Sequence, residues 1–273
     1  MGYQDALRAI WRYESSVGTP MECRTVLRGR DGSLRTACAV DDVDRLLRHA
    51  EQASSWLEFG ECVHDALGGG GAHGYVMVES HPPENLLRLG LEDIPIYHTR
   101  KHLLSEHAPR ELDAKGRVIR TEENLHRHGL SERFLRRVPE LLETPALVMN
   151  PNPRTLISML PAVDRYGCPV IAIIDPAAVA FDPQRGLVEA NLLKSVYGRL
   201  EPQRMVDDHA KRGRVVYIDH SMADDLFART GIACPRGLAR MDGYLSRATL
   251  DRSHRDGPTV ELVSRLPRGW ETR

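Results

Sequence analysis

Lysine is the scarcest charged residue in this chain. Of 37 cationic side chains only Lys101, Lys115, Lys194 and Lys211 are lysines, and the other 33 are arginines. Most cationic groups are therefore planar, bidentate and permanently charged, a form suited to phosphate and carboxylate ligands. Net charge is missing as well. The formal value is -1, so no whole-chain basic field draws the protein to nucleic acid or membrane, although a local basic patch is compatible with it. There is no CxxC pair among Cys23, Cys38, Cys62, Cys168 and Cys234, and their number is odd and their spacing wide. That argues against a disulfide framework or a zinc site and fits reduced thiols in a cytoplasmic setting. No apolar run is long enough to span a bilayer. The start, MGYQDALRAIWRYES, lacks the apolar core of a signal peptide. The expected location is the cytoplasm, or a target cell reached without a cleaved signal. The run Gly68 to Gly71 lacks the lysine, the spacing and the preceding strand of a phosphate-binding loop. Nucleotide hydrolysis and Rossmann redox chemistry are not expected, and neither is a cofactor. No repeat of solenoid period is present.

What the chain does have is a core. At 273 residues and 41% hydrophobic it is long enough to bury one. Residues 3 to 14 read as a helix with Ala6, Leu7, Ile10 and Trp11 on one face. MECRTVLRGRDGSLRTACAV reads as a hairpin turning at Arg30-Asp31-Gly32. Asp41 and Asp42 can cap a helix that follows, and SSWLEFGECVHDAL is a second helical stretch. Four consecutive glycines are costly to order, so the main boundary is placed near residue 72. After YVMVES and Ile94 to Tyr97, TRKHLLSEH reads as a helix. Residues 108 to 128 are polar and read as a loop or irregular helix, and Ser131 caps the helix SERFLRRVPELLE. ALVMN, TLISML, PVIAIID and NLLKSVYG are strands, the second and third joined by a turn at Asp164 to Gly167. VVYID is a short strand, and Ser221 caps MADDLFART. The pattern is α+β: an antiparallel meander sheet with helices on one face, plus a small N-terminal region. The expected division is a helix-hairpin-helix region over 1–71, an α+β domain over 72–236 and a weakly structured tail over 237–273.

The strand NLLKSVYGR carries four polar groups. Strict alternation puts Asn191, Leu193, Ser195 and Tyr197 on one face and Leu192, Lys194 and Val196 on the other. The first face is either the floor of a site or an ordinary wet sheet surface. His98 and His102, around the helix TRKHLLSEH, are four apart, and a helix would put them on one face, a spacing that can bind zinc. The glutamate base and third ligand of a zinc motif are absent, so a metal-dependent hydrolase is the weaker reading and no metal is expected. A histidine here can instead act as general acid or base near neutral pH. Arg154 and Thr155, after NPNP, can hold a phosphate. Asp219-His220-Ser221 is a triad in letters only, because adjacent residues cannot converge as a relay.

LLRLGLEDIPIYHTRKHLL, then HRHGLSERFLRRVPELLETPALVMN, then PVIAIID, NLLKSVYGR and GRVVYIDHSMADDL follow one another in an order that resembles the phage MuF C-terminal type domain. The resemblance runs over roughly residues 76 to 236. It implies phage or mobile-element origin and kinship with the metal-independent nuclease fold of barnase, EndoU and RelE-like toxins. On that implication the chain is a toxin-like ribonuclease working by general acid-base cleavage. His98 and His128 are then acid and base, Arg154 a phosphate clamp, and Ser195 and Tyr197 the polar floor. Lys101, Thr155 and Asn191 bind substrate. RNA and a neutralising immunity or antitoxin protein are the implied partners, with no membrane partner. The alternative is a non-catalytic phage or mobile-element module whose sheet binds a protein or nucleic acid.

Overall fold

The computed structural model describes residues 3–18, 24–28, 34–38, 43–69, 74–115, 118–119, 121, 124, 127–182 and 185–250. The expected turn at Arg30 to Gly32, the caps Asp41 and Asp42, the 72 boundary and the tail from 251 lie outside these residues.

Two helices open the chain. Helix α1 (Tyr3–Val17) buries Ala6, Ile10, Tyr13 and Val17, a stripe at helical spacing, while Trp11 is 61% exposed. The apolar face is thus rotated away from the tryptophan. The hairpin β1 (Arg24–Arg28) and β2 (Leu34–Cys38) is present as read. Residues expected to form two helices form one, α2 (Val43–Leu67). Nothing in its sequence breaks the backbone ladder, since it contains no proline and its one glycine, Gly60, is tolerated at modest cost. Trp56, Ala53 and Ala50 of α2 pack on α1. Phe59, Val63 and Ala66, further along, belong to the same apolar cluster as the main sheet.

That sheet has eight strands in the order β10-β9-β5-β6-β7-β8-β4-β3. They are β3 (Tyr75–Glu79), β4 (Ile96–Thr99), β5 (Leu147–Asn152), β6 (Thr155–Val163), β7 (Pro169–Asp182), β8 (Gly186–Gly198), β9 (Val215–Ile218) and β10 (Gly243–Tyr244). The run β5-β6-β7-β8 is the expected antiparallel meander. Asp164 makes the β6–β7 turn, its carboxylate accepting from the N–H groups of Tyr166 and Cys168. One pairing departs from the meander: β4 runs parallel to β8.

The fold is α+β, as the pattern implies. Helices α3 (Glu84–Leu89), α4 (Arg100–His107), α5 (Glu132–Leu135) and α6 (Val138–Glu143) join α2 over one face, where Leu86, Leu103, Leu135 and Leu142 meet Val148, Leu156, Leu193 and Val196. The layering extends beyond that face. Helices α7 (Pro202–Lys211) and α8 (His220–Thr230) cover the other with Met205, Val206, Leu226 and Phe227 against Leu147, Met159 and Ile171. Each such buried side chain contributes about 1.5–3 kcal/mol.

Two helix boundaries differ from expectation for local reasons. The helix begun at Ser131 divides into α5 and α6, because Pro139 has no N–H to continue the ladder and restricts the residue before it. Ser131 itself caps α5 through Phe134 N–H. At α8 the cap is Asp219, whose carboxylate accepts from Ser221 and Met222 N–H, so Ser221 is the capped residue and not the cap.

Candidate functional site

Strand β8 outruns its neighbour. β4 ends at Thr99, because the Thr99 hydroxyl accepts from His102 N–H and starts α4. Beyond that point no strand among the described residues lies beside β8 on the β4 side, and its backbone polar groups need other partners. Three side chains supply them. His98 Nδ1 bonds the Leu193 carbonyl, Glu106 accepts from Val196 N–H at 2.6 Å, and Arg110 donates to the Gly198 carbonyl at 3.1 Å. His98 Nε2 meets the second oxygen of Glu106 at 3.0 Å. His98 and Glu106 are each 1% exposed. The pair therefore works as a seal on the strand edge.

The same stretch of β8 is bulged. Ile174 pairs with Leu193 and Ile173 with Ser195, so Lys194 is the extra residue. The alternation expected for NLLKSVYGR breaks there. Leu193 and Val196 both join the cluster under α2 to α6, while Tyr197 packs with Ile171 and Ile173 on the opposite side. Ser195 and Tyr197 remain together, but Asn191 and Leu193 do not share their face. Lys194 turns outward to Asp175 at 2.6 Å.

His128 comes to this edge through the HGL turn. The N–H groups of His128, Gly129 and Leu130 donate to the carbonyls of Ser105, Ala108 and Glu106, which are left over at the end of α4. Gly129 has φ +66, a conformation that suits glycine. The His128 ring stacks on Tyr197 with centroids 4.9 Å apart and planes 24° apart. Arg110 Nη2 lies 3.3 Å from His128 Nδ1. Its Nε donates to the Arg127 carbonyl, and its Nη1 is 3.9 Å from the buried carboxylate of Asp164. That carboxylate presses on Gly198 so closely that a Cβ there would clash with its Oδ2. The glycine ending SVYG is thus required by that neighbour.

Between α4, the HGL turn and the bulge lies an open cleft of about 600 Å³. Lys101, His102, Ser105, Arg127, His128 and Ser195 are among its walls. Arg127 is held to Glu111 at 2.8 Å. The lining carries lysine, arginine and two imidazoles, and its one acid, Glu106, is occupied by His98 and Val196. Such a cleft suits an anionic ligand. The nearby Cys168 thiol is pushed up by burial and, secondarily, by Asp164.

Of the residues proposed from sequence, His128, Ser195 and Lys101 line this cleft, and Tyr197 supports His128. His98 lies behind the wall with both ring nitrogens engaged, which also leaves it unsuited to pair with His102 on a metal. Asn191 is fully buried, and its amide donates to the carbonyls of Glu92 and Ile94, tying β8 to the approach of β4. Arg154 and Thr155 occupy the β5–β6 turn, where Arg154 N–H bonds Asn152, and β7 stands between β6 and β8. They do not line the cleft. Sequence reasoning missed Arg110, Glu106 and Arg127, and did not single out His102 as a catalytic residue. Arg110 sits in a polar loop with no periodicity, so only its partners reveal it.

Residues 120–225 match the family model of the phage MuF-C-terminal domain. This segment resembles a phage MuF-C type domain. It carries His128, Ser195 and Tyr197, while Lys101, His102, Glu106 and Arg110 precede it. Comparisons with curated proteins and with solved structures gave no match. Among the described residues no helix is long and apolar enough to cross a membrane.

Proposed function

We propose that the cleft beside β8 is the active site of a toxin-like ribonuclease, of phage or mobile-element origin, that cuts RNA by general acid-base chemistry without a metal. One observation carries this reading: His128, Ser195 and Lys101, from three separate segments, meet with His102 around one cleft of cationic character. RNA cleavage of this kind joins the 2′-oxygen to phosphorus and breaks the bond to the 5′-oxygen. It needs a base for the 2′-hydroxyl proton, an acid for the leaving oxygen, and donors for the phosphorane oxygens. In this proposal His102 takes the 2′-hydroxyl proton and the Lys101 ammonium protonates the leaving oxygen. His128 and Ser195 donate to the phosphate. Kinship with barnase, EndoU and RelE-like nucleases belongs to the same proposal, as does a neutralising partner protein that covers the cleft.

The test uses the purified full chain, an end-labelled RNA and EDTA in the buffer. Products with a 2′,3′-cyclic phosphate are expected. His102→Gln and Lys101→Ala are each expected to slow cleavage by about 10²–10⁴-fold. Arg154→Ala, outside the cleft, is expected to cut at the parental rate. Intact RNA under all conditions would overturn the proposal. Cleavage abolished by EDTA would transfer the site to metal chemistry. RNA retained but uncut, with retention lost in Lys101→Ala, would leave a binding module.

A further inference from the structure

Arg110 makes an unusual set of contacts for a loop residue. It is almost fully buried and touches the Arg127 carbonyl at 3.0 Å, the Gly198 carbonyl at 3.1 Å and His128 Nδ1 at 3.3 Å. The Asp164 carboxylate behind it balances its charge at 3.9 Å. A guanidinium has donors and no acceptor. The nitrogen it faces must therefore present a lone pair. A neutral imidazole with an unprotonated Nδ1 carries its hydrogen on Nε2. A second proton, on Nδ1, would point at a buried cation with no acceptor between them.

We infer that Arg110 is a positioning residue that locks His128 as the neutral Nε2–H tautomer, so that His128 offers the cleft a fixed hydrogen-bond donor for an oxyanion such as a phosphodiester. His128 is then not an acid-base group, in contrast to the role that the family resemblance implies. The rest of its surroundings agree. Tyr197 stacks on the ring and fixes its plane. The charged and titratable groups facing the same cleft are Lys101, His102 and Glu106 from α4 and Arg127 from the adjoining loop, and Glu106 is spent on His98 and Val196. The inference rests on the ribonuclease reading only for the identity of the oxyanion.

The direct test is a long-range proton–nitrogen correlation spectrum of the full chain with ¹⁵N-labelled histidine. Signals of His128 are assigned by their loss in His128→Asn. An unprotonated Nδ1 and a protonated Nε2 are expected, unchanged from about pH 8 to about pH 5.5, a range over which an ordinary histidine becomes imidazolium. A proton on Nδ1, or conversion to imidazolium within that range, would overturn the inference. Arg110→Lys keeps the charge but loses the planar fork. In that variant, if folded by circular dichroism, His128 is expected to titrate; an unchanged pattern would also refute the positioning role. If Arg110→Lys does not fold, the parental spectrum decides alone. RNA left intact beside an Nε2–H spectrum would sink the ribonuclease reading and leave this one standing.

Discussion

Glu143 offers a quantitative test of how the N-terminal helices are held. The hydrogen bonds that dock them on the body include Tyr13 to Glu140, Gln52 to Glu143 and Trp56 to Glu79, each ending on a carboxylate. Burial pushes Glu143 up to about 7, with Glu84 adding to the rise and Gln52 opposing it. Burial also holds Glu79 well above the usual carboxylate range, and Glu143 contributes to that. A carboxyl raised in the folded state binds its proton more tightly there than in the unfolded chain. Its contribution is full below the ordinary 4.5 and is lost as pH rises through about 7. A rise from 4.5 to about 7 corresponds to at most about 3 kcal/mol. Glu143→Gln removes the titration and keeps an oxygen for Gln52. Urea unfolding at about pH 5 and about pH 8.5 measures the difference. The variant is expected to match the parent at the lower pH and to exceed it by about 2–3 kcal/mol at the higher one. Parallel pH profiles for the two proteins would refute the reasoning.

Two further substitutions probe the frame of the site. Gly198→Ala puts a methyl group on the Asp164 carboxylate and is expected to cost about 1–3 kcal/mol, read as a lowered thermal midpoint. Asp219→Ala removes both bonds that cap α8 and is expected to cost about 1 kcal/mol, whereas Ser221→Ala, read in the same melts, is expected to cost clearly less.

The fold class and most strands were legible because their signals are local. Alternation, turn residues and caps at Ser131 and Asp164 lie within a few positions of one another. What escaped was set by distant contacts. The continuous α2 gave no internal stop, and the apolar face of α1 was chosen by what Tyr13 and Val17 meet. The bulge at Lys194 cannot be seen in NLLKSVYGR itself, since it exists only against Ile173 and Ile174. For the same reason Asn191 read as part of a polar floor although its amide is used by Glu92 and Ile94. Ser195 and Tyr197 were separable from Lys194 because they lie two apart beyond the bulge, where alternation resumes.

The seal on β8 bears on where this molecule can be divided. The segment resembling the phage domain starts at 120, yet the side chains that satisfy Leu193, Val196 and Gly198 are His98, Glu106 and Arg110, all upstream. A fragment beginning at 120 would carry the strand but not its seal. It would present a bare sheet edge, the feature that templates pairing between chains. The residues ahead of the matched segment thus complete its sheet edge, and a fragment that keeps that edge covered has to reach back beyond β4.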